Sequence, residues 1–226
     1  MTRGLVIAID GPSGAGKSTA GRELADRLGY VFLDTGAMYR ALALAAMRAG
    51  VPLDDEAALA ALAARVPIEL RPGGAVILDG EDVTTAIRTQ EVGSAASRVS
   101  VHPAVRRHMV ARQREMGRAG GVVMDGRDIG TAVFPDADVK FYVDAHPRQR
   151  ALRRHEELAQ RGMAADLDTI EREIRDRDHA DSTRAESPLT RAADAIHLDT
   201  TELGLPEVVR RMMAAVETAR ERRSAR

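Results

Sequence analysis

Gly11-Pro12-Ser13-Gly14-Ala15-Gly16-Lys17-Ser18 fills every defined position of the phosphate-loop pattern G-x-x-x-x-G-K-[ST]. The pattern gains meaning from its flanks. An apolar run from Leu5 to Ile9 ends at Asp10 just before it, and a helical stretch, Gly16–Leu28, follows with Leu24 and Leu28 on one side and a stop at Gly29. Such glycines let the backbone curl so that successive N–H groups face phosphate oxygens, and the helix start adds its positive dipole end. Lys17 supplies a compact charge to the β- and γ-phosphates of a nucleotide, and the Ser18 hydroxyl is a hard-oxygen ligand for Mg²⁺. The competing reading, a glycine-rich turn that binds nothing, does not account for the complete match in a strand–helix setting. Of 33 Lys and Arg residues only Lys17 and Lys140 are lysines. A chain that writes nearly every positive charge as Arg has kept Lys where a guanidinium fork would crowd a tight loop.

Outward from the loop, strand and helix patterns alternate. Near-continuous apolar runs lie at Leu5–Asp10, Tyr30–Asp34, Gly121–Asp125, Val139–Asp144 and Ala195–Asp199, as expected of strands buried on both faces of a parallel sheet. Helical patterns run over Gly36–Ala49, with Thr35 as the expected cap; over His102–Gly117, opened by Pro103; and through a last helix carrying Leu205, Val208, Val209, Met212 and Val216 on one face. The order predicts an α/β fold of the P-loop NTPase type: a doubly wound parallel sheet of about five strands flanked by helices. One stretch breaks the rhythm. Val66–Leu70 and Val76–Leu78, separated by Pro72-Gly73-Gly74, read as a small antiparallel hairpin, too short to bury a core of its own.

Composition narrows the class. At 226 residues and 44% apolar, the chain has enough apolar side chains for a substantial core, and no stretch approaches the roughly 18 apolar residues a membrane helix needs. The formal net charge of −1 gives no general attraction to nucleic acid or acidic membranes. The absence of cysteine removes thiolate chemistry, disulfides and cysteine-based zinc sites, and suits a reducing cytoplasm. A soluble, unprocessed, monomeric protein is the expectation.

Asparagine is also absent. The Asn-Lys-x-Asp reader of guanine cannot exist here, and neither can the catalytic-loop Asn of protein kinases. Small-molecule kinases remain, and these must hold an acceptor against the γ-phosphate while excluding water. Arg suits that task because its planar fork grips phosphate through two parallel hydrogen bonds. Arg127, just past a buried strand in Asp125-Gly126-Arg127-Asp128, is the clearest candidate, with Arg40, Arg106, Arg177 and Arg184 also in suggestive places. Arg177 has a rival explanation as a surface pair with Glu173, four residues away, as does Arg175 with Glu171. Arg148, Arg150, Arg153, Arg154 and Arg161 crowd one stretch. Arg150 and Arg154 share a helix face that a mobile lid could close on the triphosphate, although Glu156 and Glu157 also fit a plain polar helix.

The sequence resembles the bacterial cytidylate kinase family over essentially its whole length. The resemblance is carried by Ile9–Thr19, by Leu33-Asp34-Thr35-Gly36-Ala37-Met38-Tyr39-Arg40, by Ile87–Val92, by Asp125–Thr131 and by Arg177–Arg184. It implies ATP held by Gly11, Pro12, Ser13, Gly14, Ala15, Gly16, Lys17, Ser18 and Thr19, with Mg²⁺ on Ser18 and the phosphates. It places Thr35, Arg40 and Arg127 at the phosphate of CMP or dCMP. Ser97, Arg106, Asp128 and Arg177 would hold or read the base and its surroundings, and Asp181 and Arg184 the sugar and phosphate. Lys17, Arg150 and Arg154 would be catalytic. The implied division is a core (about 1–35, 100–147 and 185–226), a monophosphate-binding region with the β insertion (about 36–99) and a lid (about 148–184). The chemistry agrees, since a carboxylate such as Asp128 can accept the exocyclic amine of cytosine and would face a carbonyl in uracil. Kinases for UMP, thymidylate or shikimate, and a non-enzymatic ATP-binding switch, are the competing readings.

Overall fold

The computed structural model describes residues 3–160 and 162–225; Arg161, named above with the lid arginines, lies outside them. Strand β1 (Val6–Asp10) runs into the glycine loop and helix α1 (Lys17–Leu28), followed by β2 (Val31–Asp34) and α2 (Thr35–Arg48). Next come α3 (Glu56–Arg65), β3 (Ile68–Leu70), β4 (Val76–Leu78), β5 (Glu81–Asp82), α4 (Gln90–Val99) and α5 (Pro103–Gly117). The chain returns through β6 (Val122–Gly126), β7 (Val139–Asp144), α6 (Pro147–Gln160), α7 (Leu167–Thr183), β8 (Ile196–Asp199) and α8 (Leu205–Ser224).

The main sheet has the order β2-β6-β1-β7-β8, and every pairing in it is parallel. All five residues of β1 and of β6 are buried, which explains their unbroken apolar character. Successive side chains alternate between faces. Ile7 and Ile9 join Leu24 of α1 and Val209, Met212 and Val216 of α8, while Val6 and Ala8 meet Met124, Ile129 and Val133 on the other side. After β6 the chain crosses from one side of β1 to the other, so the loops following β1 and β6 diverge at their carboxyl ends. That divergence leaves the crevice where open α/β sheets bind ligands.

Gly11 shows how tightly the glycine loop is seated. Its φ is 144°, and a Cβ there would lie 1.9 Å from the carbonyl oxygen of Val143 in β7, so no other residue fits.

The inserted β segment is larger than a hairpin, because β5 adds a third antiparallel strand beside β4. Ile68, Val76 and Leu78 do not form a core alone. They join Leu42, Leu59, Val99 and Met109 in a cluster shared by α2, α3, α4 and α5. Helices α3 and α4 complete that layer; Asp55 caps α3 by accepting from Ala58 N, and Thr89 caps α4 through Val92 N. One cap differs from expectation. Asp34, not Thr35, caps α2, accepting from Ala37 N at 3.0 Å, because the Thr35 hydroxyl is turned to the sheet, where it donates to the carbonyl oxygen of Asp125 at 2.7 Å. Helices α6 and α7 pack on each other through a thin seam of Ala151, Ile170 and Ile174.

Candidate phosphoryl-transfer site

The loop after β1 curls through Gly14 and Gly16, both at positive φ, and delivers Lys17 to the floor of a cleft of about 570 Å³. The Lys17 ammonium donates across the loop to the carbonyl oxygen of Pro12 at 2.7 Å. Burial, reinforced by the Arg127 charge, pushes it below the ordinary lysine range. Ser18 Oγ donates to Asp125 Oδ2 at 2.5 Å. Asp125, next to last in β6, pairs with Asp34 of β2, and burial together with that second carboxylate pushes it up. Hydroxyl and carboxylate thus form a hard-oxygen pair at the edge of the phosphate loop. Among the described residues no cluster of three or more His, Cys, Asp or Glu side chains builds a metal cage. The pair therefore fits an ion such as Mg²⁺ that takes its remaining ligands from nucleotide phosphates and water.

Asp10, at the end of β1, is a third buried carboxylate. It accepts from Ile129 N and Gly130 N, each at 2.7 Å, and burial outweighs those bonds to raise it to about 6. A folded-state value above the unfolded 3.8 means that the folded protein holds its proton more tightly, so this group costs stability as pH rises from about 4 to about 6. The full cost is on the order of 3 kcal/mol. Asp10→Asn is expected to abolish that slope. Thermal midpoints of the two proteins compared from pH 4 to pH 7 would show it, and parallel curves would exclude Asp10 as the source.

On the far side of the cleft, guanidinium groups converge. Arg40 donates to the carbonyl oxygen of Ile87 at 3.2 Å and rests on Gly93, where a Cβ would come within 2.9 Å of its Nη1. Arg106 Nη2 binds Asp128 Oδ2 at 2.5 Å, with both side chains buried, and stands 5.6 Å from the centre of the Tyr39 ring. Arg127 Nε binds Asp181 Oδ2 at 2.9 Å. Arg184 lies 3.6 Å from Asp181 and 3.8 Å from Asp128 Oδ1. Arg177 does not pair with Glu173, which accepts instead from Gln90; it turns into the cleft, where burial and the Arg127 charge lower it to about 10. The Glu171–Arg175 surface pair does form. Tyr39 Oη, Arg106 Nε, Arg177 Nε and one Nη of Arg184 are buried with no partner. Unpaired donors of this kind are costly unless a ligand meets them.

Most residues singled out from sequence meet in this cleft: the loop residues from Ser13 to Thr19 that line it, then Thr35, Arg40, Arg106, Arg127, Asp128, Arg154, Arg177, Asp181 and Arg184. Two do not. Ser97 points along its own helix and donates to Gly93 O at 3.3 Å, while Ala96 and Ser100 of α4 and its end line the cleft. Arg150 is buried behind the phosphate loop and bound to Asp178, whereas Arg153, one turn on, enters the cleft edge and donates to Thr200. Arg154 does face the cleft and donates to Gln90 at the start of α4. Sequence reasoning missed Asp125, Asp34 and Tyr39 as parts of the site. For the two aspartates the available signal was that each main strand carries an Asp at or next to its carboxyl end.

A phosphate loop facing a second pocket of arginines across a doubly wound sheet defines a P-loop kinase acting on a small phosphorylated acceptor. Residues 7–218 match the model of the cytidylate kinase family. The chain belongs to that family. It is 51% identical over 219 residues to a cytidylate kinase of Geobacillus kaustophilus, covering 96% of this chain and 98% of the relative. It is 53% identical over 219 residues to one of Syntrophotalea carbinolica, covering 96% and 93%. Among solved structures, a gluconokinase from Sinorhizobium meliloti shares the fold with a TM-score of 0.50 at 16% identity, over 98% of this chain and 97% of that one. An uncharacterized protein from Eubacterium ventriosum gives 0.54 at 10% identity, over 94% and 98%.

Proposed function

We infer that this chain transfers the γ-phosphoryl group of ATP directly to CMP and dCMP, giving CDP and dCDP. The observation that carries the reading is the set of buried, unpartnered donors around Asp128, Arg177 and Arg184, facing Lys17 across one cleft. The cleft is lined by nine cationic side chains and six carboxylates, a surplus that suits two polyanions laid end to end.

The ionised phosphate of the acceptor is already a nucleophile, so no general base is needed. The chain's part is to hold both phosphates in line and to meet the charge that spreads over the transferred group. Lys17 and the loop N–H groups hold the donor. Arg40, Arg127 and Arg177 hold the acceptor phosphate, and Arg153 and Arg154 close over the donor from α6. Ser18, with Asp125 behind it, would hold Mg²⁺, which would supply charge neutralisation at the nucleotide phosphates. Asp128 reads the base: Arg106 occupies Oδ2, which leaves Oδ1 to accept the amine of cytosine. In this reading residues of about 36–99 form the acceptor-binding region and about 148–184 the lid, and the protein works as a cytoplasmic monomer. No described helix is long and apolar enough to cross a membrane.

Asp125→Asn is expected to raise the Mg²⁺ concentration needed for half-maximal turnover by about tenfold or more. A magnesium titration at saturating nucleotides measures it, and an unshifted curve would place the ion elsewhere. The reading as a whole is tested by coupled ADP release with CMP, dCMP, UMP and AMP as acceptors. CMP and dCMP should be the best. ATP binding without acceptor-dependent ADP would return the chain to the class of non-catalytic switches.

A further inference from the structure

Arg150 does not line the nucleotide cleft, yet it is among the most completely used side chains in the fold. It is 2% exposed. Its Nε donates to Ala145 O at 2.8 Å, Nη1 to Ser13 O at 3.0 Å and Asp178 Oδ1 at 3.1 Å, and Nη2 to Asp178 Oδ2 at 2.5 Å. The pairing with Asp178 is bidentate, which fixes orientation as well as distance. Gly14 packs directly on it; a Cβ there would stand 3.3 Å from the Arg150 Cβ. One guanidinium therefore joins the phosphate loop, the turn between β7 and α6, and helix α7.

Helix α7 has a second anchor. Asp181, one turn beyond Asp178, accepts from Arg127 Nε at 2.9 Å and lies 3.6 Å from Arg184. Arg177, which turns into the cleft, precedes Asp178 directly. A single turn of helix thus ties the donor's loop to the acceptor's guanidinium groups.

We propose that Arg150 and Asp178 are positioning residues for phosphoryl transfer: their pair sets the phosphate loop and α7 in the relation that brings donor and acceptor phosphates into line. The proposal rests on the kinase reading above. Stability alone is a weak reason to keep such a pair, because a buried ion pair is often matched or bettered by apolar side chains of similar volume. Alignment is a strong one, because a displacement of about 1 Å can cost about a hundredfold in rate.

The test uses the full chain with Mg²⁺-ATP and CMP. It measures kcat, both KM values and the thermal midpoint for wild type, Asp178→Asn, Arg150→Lys and the double replacement Arg150→Met with Asp178→Leu. Each single variant is expected to lose about 10- to 100-fold in kcat while KM for ATP stays within about threefold. The double apolar variant should recover the thermal midpoint without recovering kcat, and its loss should fall well short of the product of the single losses. Wild-type kcat in Asp178→Asn, or kcat returning with stability in the double variant, would overturn the proposal. So would a large rise in KM for ATP in Arg150→Lys beside a silent Asp178→Asn, since Arg150 would then be touching nucleotide. Should the double variant not fold, the two conservative single variants decide. A wild-type protein that makes no CDP would sink the kinase reading instead.

Discussion

Lys17→Met is expected to lower turnover by about three orders of magnitude while leaving the ligand-free protein as stable as before or more so. The ammonium sits on the floor of the cleft, bound to Pro12 O at 2.7 Å, from where it can swing to an arriving γ-phosphate. Burial and the neighbouring Arg127 disfavour its charge. A lysine whose folded-state value lies below its unfolded one burdens the fold most at acid and neutral pH, and the burden fades as pH climbs to the ordinary lysine range. The Met variant should accordingly gain most at low pH, with each kcal/mol regained raising the thermal midpoint by about 2–4 °C. Opposite movement of activity and stability marks a group kept for function. ADP release measured beside unfolding curves at several pH values separates the outcomes. Near-normal turnover would remove Lys17 from the transfer step, and a lowered midpoint would contradict the account of its charge.

Asp128 carries the second large effect. Removing it as Asp128→Ala leaves the Arg106 guanidinium buried beside Tyr39 without its 2.5 Å partner. Breaking one side of a buried pair costs about 3–5 kcal/mol, which corresponds to a fall of about 6–20 °C in thermal midpoint for a chain of this size. Asp128→Asn preserves the shape and tests the base-reading role more cleanly. Its amide can turn a donor toward the carbonyl of uracil, so the ratio of kcat/KM for CMP over UMP should shrink by about 5- to 150-fold, equivalent to about 1–3 kcal/mol. An unchanged ratio would remove Asp128 from base reading, whatever happens to stability.

The main sheet was legible because its strands are short and apolar with an Asp at or next to the carboxyl end, and because the central pair β1 and β6 is buried on both faces, although the edge strands β2 and β8 are partly exposed. The phosphate loop was legible because few backbones other than a nucleotide cradle need that glycine spacing with that lysine. Helices α3 and α4 were not expected. Helix α3 is Ala-rich and carries little amphipathic contrast, α4 is short with Gly93 in its interior, and their caps, Asp55 and Thr89, lie in a region whose hairpin signals dominated the reading. The arginines of α6 show a different limit. Spacing correctly puts Arg150 and Arg154 on neighbouring turns, but spacing cannot say which of them meets Asp178 and which meets Gln90. That depends on how α6 lies against α7, a matter of tertiary packing. Ser97 shows the same limit, since one position along α4 separates a residue at the cleft from one that bonds to its own helix.

The surplus of positive side chains in the cleft reaches beyond catalysis. An empty protein must keep those like charges at close quarters, so it is the weakest form of the molecule, and any small dianion that settles there relieves the repulsion. Sulfate or inorganic phosphate should thus both toughen the chain against heat and slow nucleotide entry. Where pyrimidine monophosphates run short, idle copies would soften and be cleared by proteases first, so that the lifetime of the protein follows the supply of what it consumes.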